Sequence, residues 1–365
     1  MTTTHTFKPD QPPPRTVVGP VAWLRDNLFA SPLHVVLTLL ALYLIWLIVP
    51  PLINWAFLKA DWIGTSRTDC SGEGACWVFI KERFGQFMYG FYPEEQRWRV
   101  DLTVWVAIIG AAPLFLPKMP HKAWYGIGFL VVFPLVAFWL LHGGPGLDTV
   151  PTSRWGGLML TLVIGYVGIT GALPLGILLA LGRRSDMPAI KVICVTFIEF
   201  WRGVPLITVL FMSSVMLPLF LPEGMGLDKL LRALIMVIFF EAAYIAEVVR
   251  GGLQAIPKGQ YEAASAMGLG YWRSMGLVIL PQALKMVIPG IVNTFIALFK
   301  DTSLVIIIGL FDLLNSIKQA TTDPRWLGMS TEGYVFAALI YWVFCFGMSR
   351  YSMRLERKLD TGHKR

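Results

Sequence analysis

The sequence predicts an all-α membrane protein with about eight transmembrane helices. Of its 365 residues, 55% are hydrophobic and only 15% are charged, which is too apolar for an ordinary soluble globule of this length. The apolar residues also gather in runs of about 20, the helix length that crosses about 30 Å of hydrocarbon. We therefore expect the chain to lie in a lipid bilayer.

Eight apolar runs follow one another along the chain. They lie near residues 34–57, 101–117, 123–142, 157–181, 193–221, 231–249, 286–310 and 333–349. The first run follows a polar, proline-rich stretch and is longer than the core of a signal peptide, which predicts an uncleaved anchor. The fifth is longer than one crossing needs and contains Pro205, which predicts a kink.

The distribution of Lys and Arg predicts that both termini are cytoplasmic. If the spans alternate from a cytoplasmic N-terminus, the cytoplasmic segments contain 18 Lys and Arg and the opposite segments contain 11. The net charge of +8 then follows from topology, because the basic residues lie between apolar runs and at the C-terminus. No nucleic-acid partner is expected.

Composition divides the chain near residue 150. The spans within 34–150 carry no ionisable group at depth and are expected to form an accessory three-helix module with a hydrophilic loop at 59–100. Residues 151–350 carry nearly all the buried charge and are expected to form the core. Polar tails over 1–33 and 351–365 flank these regions, and the second tail is basic.

Two of the four cysteines lie in the hydrophilic loop, within the sequence Cys-Ser-Gly-Glu-Gly-Ala-Cys. Cys70 and Cys76 could form a disulfide if this loop faces an oxidising compartment, and stay free thiols otherwise. Cys194 and Cys345 lie in apolar spans, where we expect them to act as packing residues.

A charged, helix-favouring segment over 251–285 separates two apolar spans. Residues 261–267 favour a helix, and Gly268 is placed to end it as a left-handed cap. A second helical stretch over 271–280 meets Pro281 before the next span. The pattern predicts a helix-turn-helix on the cytoplasmic face that a protein outside the membrane binds. An interfacial amphipathic helix without a partner is the alternative.

The residues of this segment resemble a known family. Glu262-Ala263-Ala264, then Gly268, then Ile279-Leu280-Pro281 resemble the EAA loop of ABC importer permeases. Arg-Gly-Gly-Leu-Gln-Ala-Ile-Pro-Lys-Gly-Gln at 250–260 and Lys-Asp-Thr-Ser-Leu-Val at 300–305 are similar to the polar amino acid uptake branch. The resemblance covers roughly 156–358. The additional N-terminal spans resemble the larger M-type permease subunit of general L-amino acid ABC transporters.

This resemblance implies a multi-pass permease of the bacterial inner (plasma) membrane, with a type I ABC importer core in its last five helices and L-amino acids as substrate. It implies a second, similar permease in a heterodimer, two ATP-binding subunits and a periplasmic amino acid binding protein. The residues that it implies in ATPase coupling are Glu262, Ala263, Ala264, Gly268, Leu280 and Pro281.

No sequence motif predicts chemistry on this chain. It contains no Walker A pattern, so ATP and Mg are expected on the partner ATPase and no cofactor on this chain. It also contains no nucleophile elbow, zinc motif or paired-carboxylate motif, so neither a catalytic residue nor a metal site is expected. We expect a permease rather than an enzyme.

Ionisable groups at bilayer depth point to a substrate path, because each costs about 2.5–3.5 kcal/mol on insertion scales. In a helix over 286–310, Asp301 shares a small polar face with Thr294, and Asn293 lies alongside. Its carboxylate could meet a substrate ammonium; the alternatives are pairing with a lysine or capping a helix break. Glu241 is a second candidate, with a hydrogen bond to a neighbouring helix as its alternative.

Two pairs spaced i,i+3 lie near the cytoplasmic ends of their spans. Glu199 with Arg202, and Glu247 with Arg250, are expected to be structural or gating ion pairs, with direct substrate contact as the alternative. Two other functions stay open for the chain. An ion-coupled secondary amino acid transporter would use Asp301 and Glu241 as carriers, whereas a membrane scaffold would not need the cytoplasmic loop for transport.

Overall fold

Helices form nearly all of the structure, a computed structural model that describes residues 19–116, 119–220, 222 and 226–359. These helices are either amphipathic or apolar on all sides, as the apolar runs of the sequence predict. The α-helices of the described residues are α1 (Pro20–Leu28), α2 (Pro32–Ile53), α3 (Trp77–Tyr89), α4 (Arg97–Ala111), α5 (Lys122–His142), α6 (Gly157–Arg183), α7 (Pro188–Gly203), α8 (Leu206–Val215), α9 (Leu217–Phe220), α10 (Lys229–Ala255), α11 (Lys258–Ala266), α12 (Tyr271–Ser274), α13 (Leu280–Asp301), α14 (Leu313–Thr321) and α15 (Ser330–Leu359).

Short irregular elements join several of these helices. Two π-helical turns, Asn54–Leu58 and Met275–Ile279, extend α2 and lead into α13, and the 3-10 helix Thr302–Ile308 follows α13. The strand Phe311–Asp312 forms isolated bridges with Gly156 and Gly157. The prediction of an all-α membrane protein is confirmed.

Six helical segments of the described residues are long and apolar enough to cross a membrane. They are Pro32–Leu58, Glu94–Phe115, Lys122–His142, Gly157–Arg183, Tyr271–Ile308 and Ser330–Leu359. A seventh results if α7 and α8 form one span, and the two are bent by 100° at the break before Pro205, so the predicted kink is confirmed.

The predicted count of eight spans is not confirmed. The remaining expected span, 231–249, lies within α10, a 27-residue helix that is long enough to cross a bilayer. Arg232, Glu241 and Glu247 interrupt its apolar sequence, so length and composition alone do not mark it as a span.

The chain divides into two compact units, Met1–Val78 and Phe79–Arg365. In the first unit, none of the residues of α2 is buried. The loop after it contains a disulfide between Cys70 and Cys76, with Cα atoms 5.7 Å apart. The accessory module predicted over 34–150 stays a prediction. Residues 1–18 and 360–365 of the predicted tails, with residues 117 and 221 of two predicted spans, lie outside the described residues.

The second unit is built around α6 and α10. A Cβ atom added to Gly176 of α6 would lie 2.7 Å from Cγ2 of Ile245, so the two helices pack at a distance that only glycine permits here. The buried residues Val237 and Ala246 lie along the same helix, α10. We call the end of this unit that contains Arg183 the loop end, and the end that contains Gly157 the far end.

Candidate functional site

Helices α11 and α12 form the helix-turn-helix that the sequence predicts at the loop end. Gly268 has φ +73°, in the left-handed region, and the backbone N–H groups of Met267 and Leu269 donate to the carbonyls of Ala263 and Ala264 at 3.1 Å. The predicted left-handed cap is confirmed. We call residues 258–279 the coupling loop, after the role that the sequence resemblance implies for them.

The second helical stretch does not end at Pro281. The segment Tyr271–Ile308 is a continuous run of helical turns, and Pro281 lies in the first turn of α13. Proline lacks the N–H that would continue the α-helical hydrogen bonds, and the helix departs from α-helical geometry in the π-helical turn Met275–Ile279 directly before it. Residues 271–280 therefore lead directly into α13, so a displacement of the coupling loop can pass along this helix.

The coupling loop exposes one carboxylate and several apolar side chains. Glu262 and Ala263 are exposed, whereas Ala264 is only 1% exposed. Of the two alanines that the resemblance implies in ATPase coupling, Ala264 therefore packs within the chain and Ala263 is open to a partner. Met267 and Trp272, at 72% and 71% exposure, were missed by the sequence analysis, although bulky apolar residues in a polar loop are a usable signal.

Three hydrogen bonds connect the coupling loop to neighbouring helices. The Arg184 guanidinium donates to the Tyr261 hydroxyl at 3.1 Å and lies 5.7 Å from the centre of its ring. Tyr261 donates in turn to the carbonyl of Leu253 at 3.3 Å, and Gln282 donates to the side chain of Gln260 at 3.1 Å. The loop is therefore connected to α6, α10 and α13.

An ion-pair cluster centred on Glu247 lies beside the coupling loop. Arg183 and Arg202 each approach the Glu247 carboxylate at 3.5 Å, and Arg250 forms a third ion pair with it. Arg183 also bonds Glu199 at 2.8 Å. Three arginines and two glutamates leave the cluster with one net positive charge and join α6, α7 and α10.

The cluster confirms one predicted pair and corrects the other. Glu247 pairs with Arg250 as expected, but the predicted pairing of Glu199 with Arg202 is wrong. Glu199 turns to Arg183 of α6, and Arg202 reaches Glu247 of α10. The long side chains of α7 reach neighbouring helices instead of each other, so i,i+3 spacing did not decide the partner.

The predicted substrate-path residues lie along α13 and α10. Asp301 is the last residue of α13 and is half-buried, while Glu241 of α10 is 3% exposed and interacts electrostatically with Asp301. Asn293 is exposed, and Thr294 donates to the carbonyl of Gly290 at 3.1 Å. The structure places Glu241 inside the bundle, within the range at which its charge and that of Asp301 would repel each other.

One of the alternatives for Asp301 is not supported. Its side chain makes no capping hydrogen bond to the 3-10 helix Thr302–Ile308 that begins after it. Its exposed neighbour Lys300 lies next in sequence and interacts with it electrostatically. Pairing with a lysine is thus the alternative that remains for Asp301.

A buried hydrogen-bond network at the far end was missed by the sequence analysis. Asp312 is fully buried and accepts from the backbone N–H groups of Leu314 and Asn315 at 3.3 and 3.2 Å and from the Tyr341 hydroxyl at 2.9 Å. Thr161 of α6 accepts from the N–H of Leu313 at 3.0 Å. The signal in the sequence is an Asp that can cap the N-terminus of a helix.

The far end also presents a polar surface built by α3 and the segment after α14. Asp323 forms ion pairs with Arg83 and with Arg325, the second at 3.1 Å, and Gln86 donates to Gln319 at 3.3 Å. The hydrogen bond from the Arg325 side chain is the main cause that lowers the pKa of Asp323 to about 2. A polar cavity of about 770 Å³ lies beside these residues.

The coupling loop, the charged cluster and the carboxyl groups on α10 and α13 all lie in the part of the chain that a known family matches. A model of the family described as binding-protein-dependent transport system inner membrane component matches residues 172–361. The chain belongs to this family. The prediction of an importer permease is confirmed, and the multi-pass helical structure agrees with an inner-membrane component.

Individual relatives match the chain to different extents. It is 62% identical to the inner membrane amino-acid ABC transporter permease protein YhdY of Escherichia coli K12 and 42% identical to the glutamate/glutamine/aspartate/asparagine transport system permease protein BztC of Rhodobacter capsulatus, and each match covers 97% of both chains. The glutamate/aspartate import permease protein GltK of Escherichia coli O157:H7 is 33% identical, over 55% of this chain and 91% of that one.

These comparisons bear on the N-terminal helices and on the partners. The two long relatives match the chain over α1 to α5 as well as the core, whereas the short relative matches just over half of it. The relatives are permease subunits, and membership of a binding-protein-dependent family implies, in general terms, a binding protein and an ATPase as partners.

Proposed function

We propose that this chain is the permease subunit of an ABC importer for L-amino acids, of polar or broad specificity. It forms half of the translocation path and breaks no bond itself. The observation that carries this proposal is the exposed coupling loop, with Glu262 outward and Gly268 in the left-handed region, in a chain 62% identical over its length to an amino-acid ABC transporter permease.

The coupling loop is the proposed contact with the ATPase. Glu262 offers a carboxylate for charge-assisted hydrogen bonds, and Ala263 leaves room for close approach. The exposed Met267 and Trp272 add an apolar rim of the kind that stabilises protein interfaces. Leu280 and Pro281 begin α13 and transmit the motion. Two ATP-binding subunits, one for each permease, bind the ATP and Mg.

The polar face of α13 is the proposed substrate path. Asn293 is exposed and Asp301 half-buried within this chain, so a second, similar permease in a heterodimer would cover the face and close the path. The Asp301 carboxylate meets the substrate ammonium, and Glu241 lies buried on the neighbouring helix α10. Unchanged uptake by an Asp301→Asn variant would contradict the contact between Asp301 and the substrate.

The proposed orientation places the loop end and both termini in the cytoplasm of a bacterium. The excess of 18 over 11 basic residues supports it. The far end, with the surface around Arg83 and Asp323, then receives the periplasmic amino acid binding protein. ATP-driven closure of the ATPases rocks the two permeases between inward-facing and outward-facing states around the path.

The test uses the complete complex purified from its native membrane and reconstituted in proteoliposomes with the binding protein. We expect Glu262→Lys to lower co-purification of the ATPase and binding-protein-stimulated ATP hydrolysis at least about tenfold, because it reverses the charge of a contact group. Glu356→Lys makes the same charge change at an exposed site near the end of α15, outside both the coupling loop and the far end, and should leave both unchanged.

Two results would contradict the proposal. If Glu262→Lys keeps the ATPase and full stimulated hydrolysis, the loop is not the coupling surface. If the chain is isolated without an ATPase and its uptake collapses with a protonophore while ATP remains, it is an ion-coupled secondary transporter, and Asp301 and Glu241 become the proposed carriers.

A further inference from the structure

An apolar groove runs between α4, α5, α6 and α10 of the second unit. Its volume is about 590 Å³. Its floor is formed by buried side chains that include Leu141, Trp155 and Met159, and its edges by strongly exposed ones such as Ile108 and Phe138. The groove is therefore open toward whatever surrounds the helices, and in a membrane protein that is lipid.

The length of the groove matches one leaflet of a bilayer. It begins at the far end, beside His142 and Thr152, and its lining extends along α4 from Val100 to Ile108 and along α6 from Met159 to Val167. Eight residues of helix rise about 12 Å, and half of a hydrocarbon core is about 15 Å. The groove thus extends from the membrane surface to about its middle, as an acyl chain does.

Two residues that line this apolar groove carry buried polar atoms without a partner among the described residues. The Nε1 atom of Trp155 and the Nδ1 atom of His142 are buried without a hydrogen-bond partner in the part of the chain that the structure describes. Trp155 itself is 3% exposed. A buried polar group left without a partner costs about 1–3 kcal/mol, so an occupant with an acceptor at this level would be favoured.

We propose that the groove holds one acyl chain of a phospholipid from the leaflet at the far end. The acyl chain lies on Leu141 and Met159, and an ester or phosphate oxygen of the same lipid accepts the hydrogen bond from Trp155 Nε1. At the mouth of the groove, the exposed Asp228 carboxylate accepts a hydrogen bond from the Thr152 hydroxyl. This carboxylate faces the headgroup region. The lipid fills the space that α4 and α5 leave against α6 and α10.

The test is photolabelling of the full chain in vesicles of phosphatidylethanolamine and phosphatidylglycerol, with a phosphatidylethanolamine that carries a diazirine in the middle of one acyl chain. We expect labelled peptides to include the floor residues Leu141 and Met159, which free bilayer lipid does not reach. Ala107→Trp, which fills the groove from α4, should reduce this floor label at least about fivefold. Ile109→Trp lies on the same helix outside the lining and should leave it unchanged.

Native mass spectrometry of the detergent-purified chain provides an independent measurement. We expect one retained phospholipid, lost in Ala107→Trp and in Ala137→Trp, which fills the groove from α5, and weakened in Trp155→Phe, which removes only the donor. Label confined to exposed residues, equal floor label in Ala107→Trp and Ile109→Trp, or a purified chain that retains no phospholipid would overturn the proposal.

Discussion

The Glu247 cluster at the loop end and the Asp312 network at the far end use polar residues in opposite ways. At the loop end, Glu247 and three arginines form ion pairs through long side chains that are 15–36% exposed. At the far end, the short side chains of Asp312 and Ser316, at 0% and 1% exposure, bond to backbone groups and to α15. Long, partly exposed side chains can exchange ion-pair partners at a low free-energy cost. Breaking a buried hydrogen bond costs more, because it leaves a buried polar group without a partner.

This difference suggests a division of roles within one bundle. The far end is the fixed part, since moving any helix there would leave buried donors unpaired. The loop end can be rearranged by a protein that binds the coupling loop, because Arg183 already contacts both Glu199 and Glu247. Substitutions that remove the polar contacts at each end test this difference, and we expect the largest loss of stability at the far end.

Asp312→Ala should break the fixed end. It leaves the N–H groups of Leu314 and Asn315 and the Tyr341 hydroxyl without their acceptor, and we expect it to lower the free energy of unfolding by about 3 kcal/mol. The apparent melting temperature, followed by tryptophan fluorescence in detergent, should fall by about 6 °C. Tyr341→Phe, which removes only the bond from the Tyr341 hydroxyl, should cost about 1 kcal/mol. An Asp312→Ala variant as stable as the parent would contradict the comparison.

Glu247→Ala should disturb the loop end less. The variant leaves three partly exposed arginines without their central carboxylate, and we expect a loss of about 2 kcal/mol, below the cost of breaking a fully buried pair. Glu199→Ala is the matched control, because Glu199 is 54% exposed and makes one ion pair, so its loss should stay below about 1 kcal/mol. Equal losses in the two variants would mean that Glu247 is not the centre of the cluster.

Gly268→Ala should weaken the coupling loop alone. Open space surrounds this position, so the cost is the left-handed backbone, about 1 kcal/mol for a residue with a Cβ atom. We expect faster hydrogen exchange in α11 with an unchanged melting temperature. Gly259→Ala also points into open space but lies in helical backbone, so it should slow exchange in α11. The same exchange rate in both variants would refute a backbone role for Gly268.

The ion pairs of Asp323 predict a small effect of pH at the far end. The pKa of Asp323 is lowered to about 2 in the folded chain, so its ionised form favours the folded state at every pH above the ordinary carboxyl pKa of about 3.9. This contribution should disappear as pH falls from about 4 through about 2. Melting temperatures of the parent and Asp323→Asn should therefore differ at pH 6 and converge near pH 2. A constant difference would show that the pair does not titrate in this range.

The sequence was sufficient for features that depend on local pattern. Runs of about 20 apolar residues located the helices, and Gly268 located the turn of the coupling loop, because span length and left-handed backbone are local requirements. Whether α10 crosses the membrane was harder to predict. Its charged residues are acceptable only because neighbouring helices bury or pair them, which composition does not reveal.

Features that depend on tertiary partners were missed or assigned wrongly. Glu199 and Arg202 are spaced to pair, yet each finds a partner on another helix. Asp312 and Tyr341 are 29 positions apart, so only the packing of α14 against α15 reveals their contact. The unpaired Nε1 of Trp155 has no sequence signal at all, since its significance is the absence of a partner within the described residues.

The disulfide between Cys70 and Cys76 has a consequence for how the protein is made. A bond of this kind forms and persists only where an oxidant is present, and the loop that contains it follows the first span. In the proposed orientation this loop lies on the side opposite the cytoplasm, so the bond forms only after the loop has crossed the membrane. A molecule inserted upside down would keep two thiols there, so the bond is a covalent record of the direction in which the nascent chain entered the membrane.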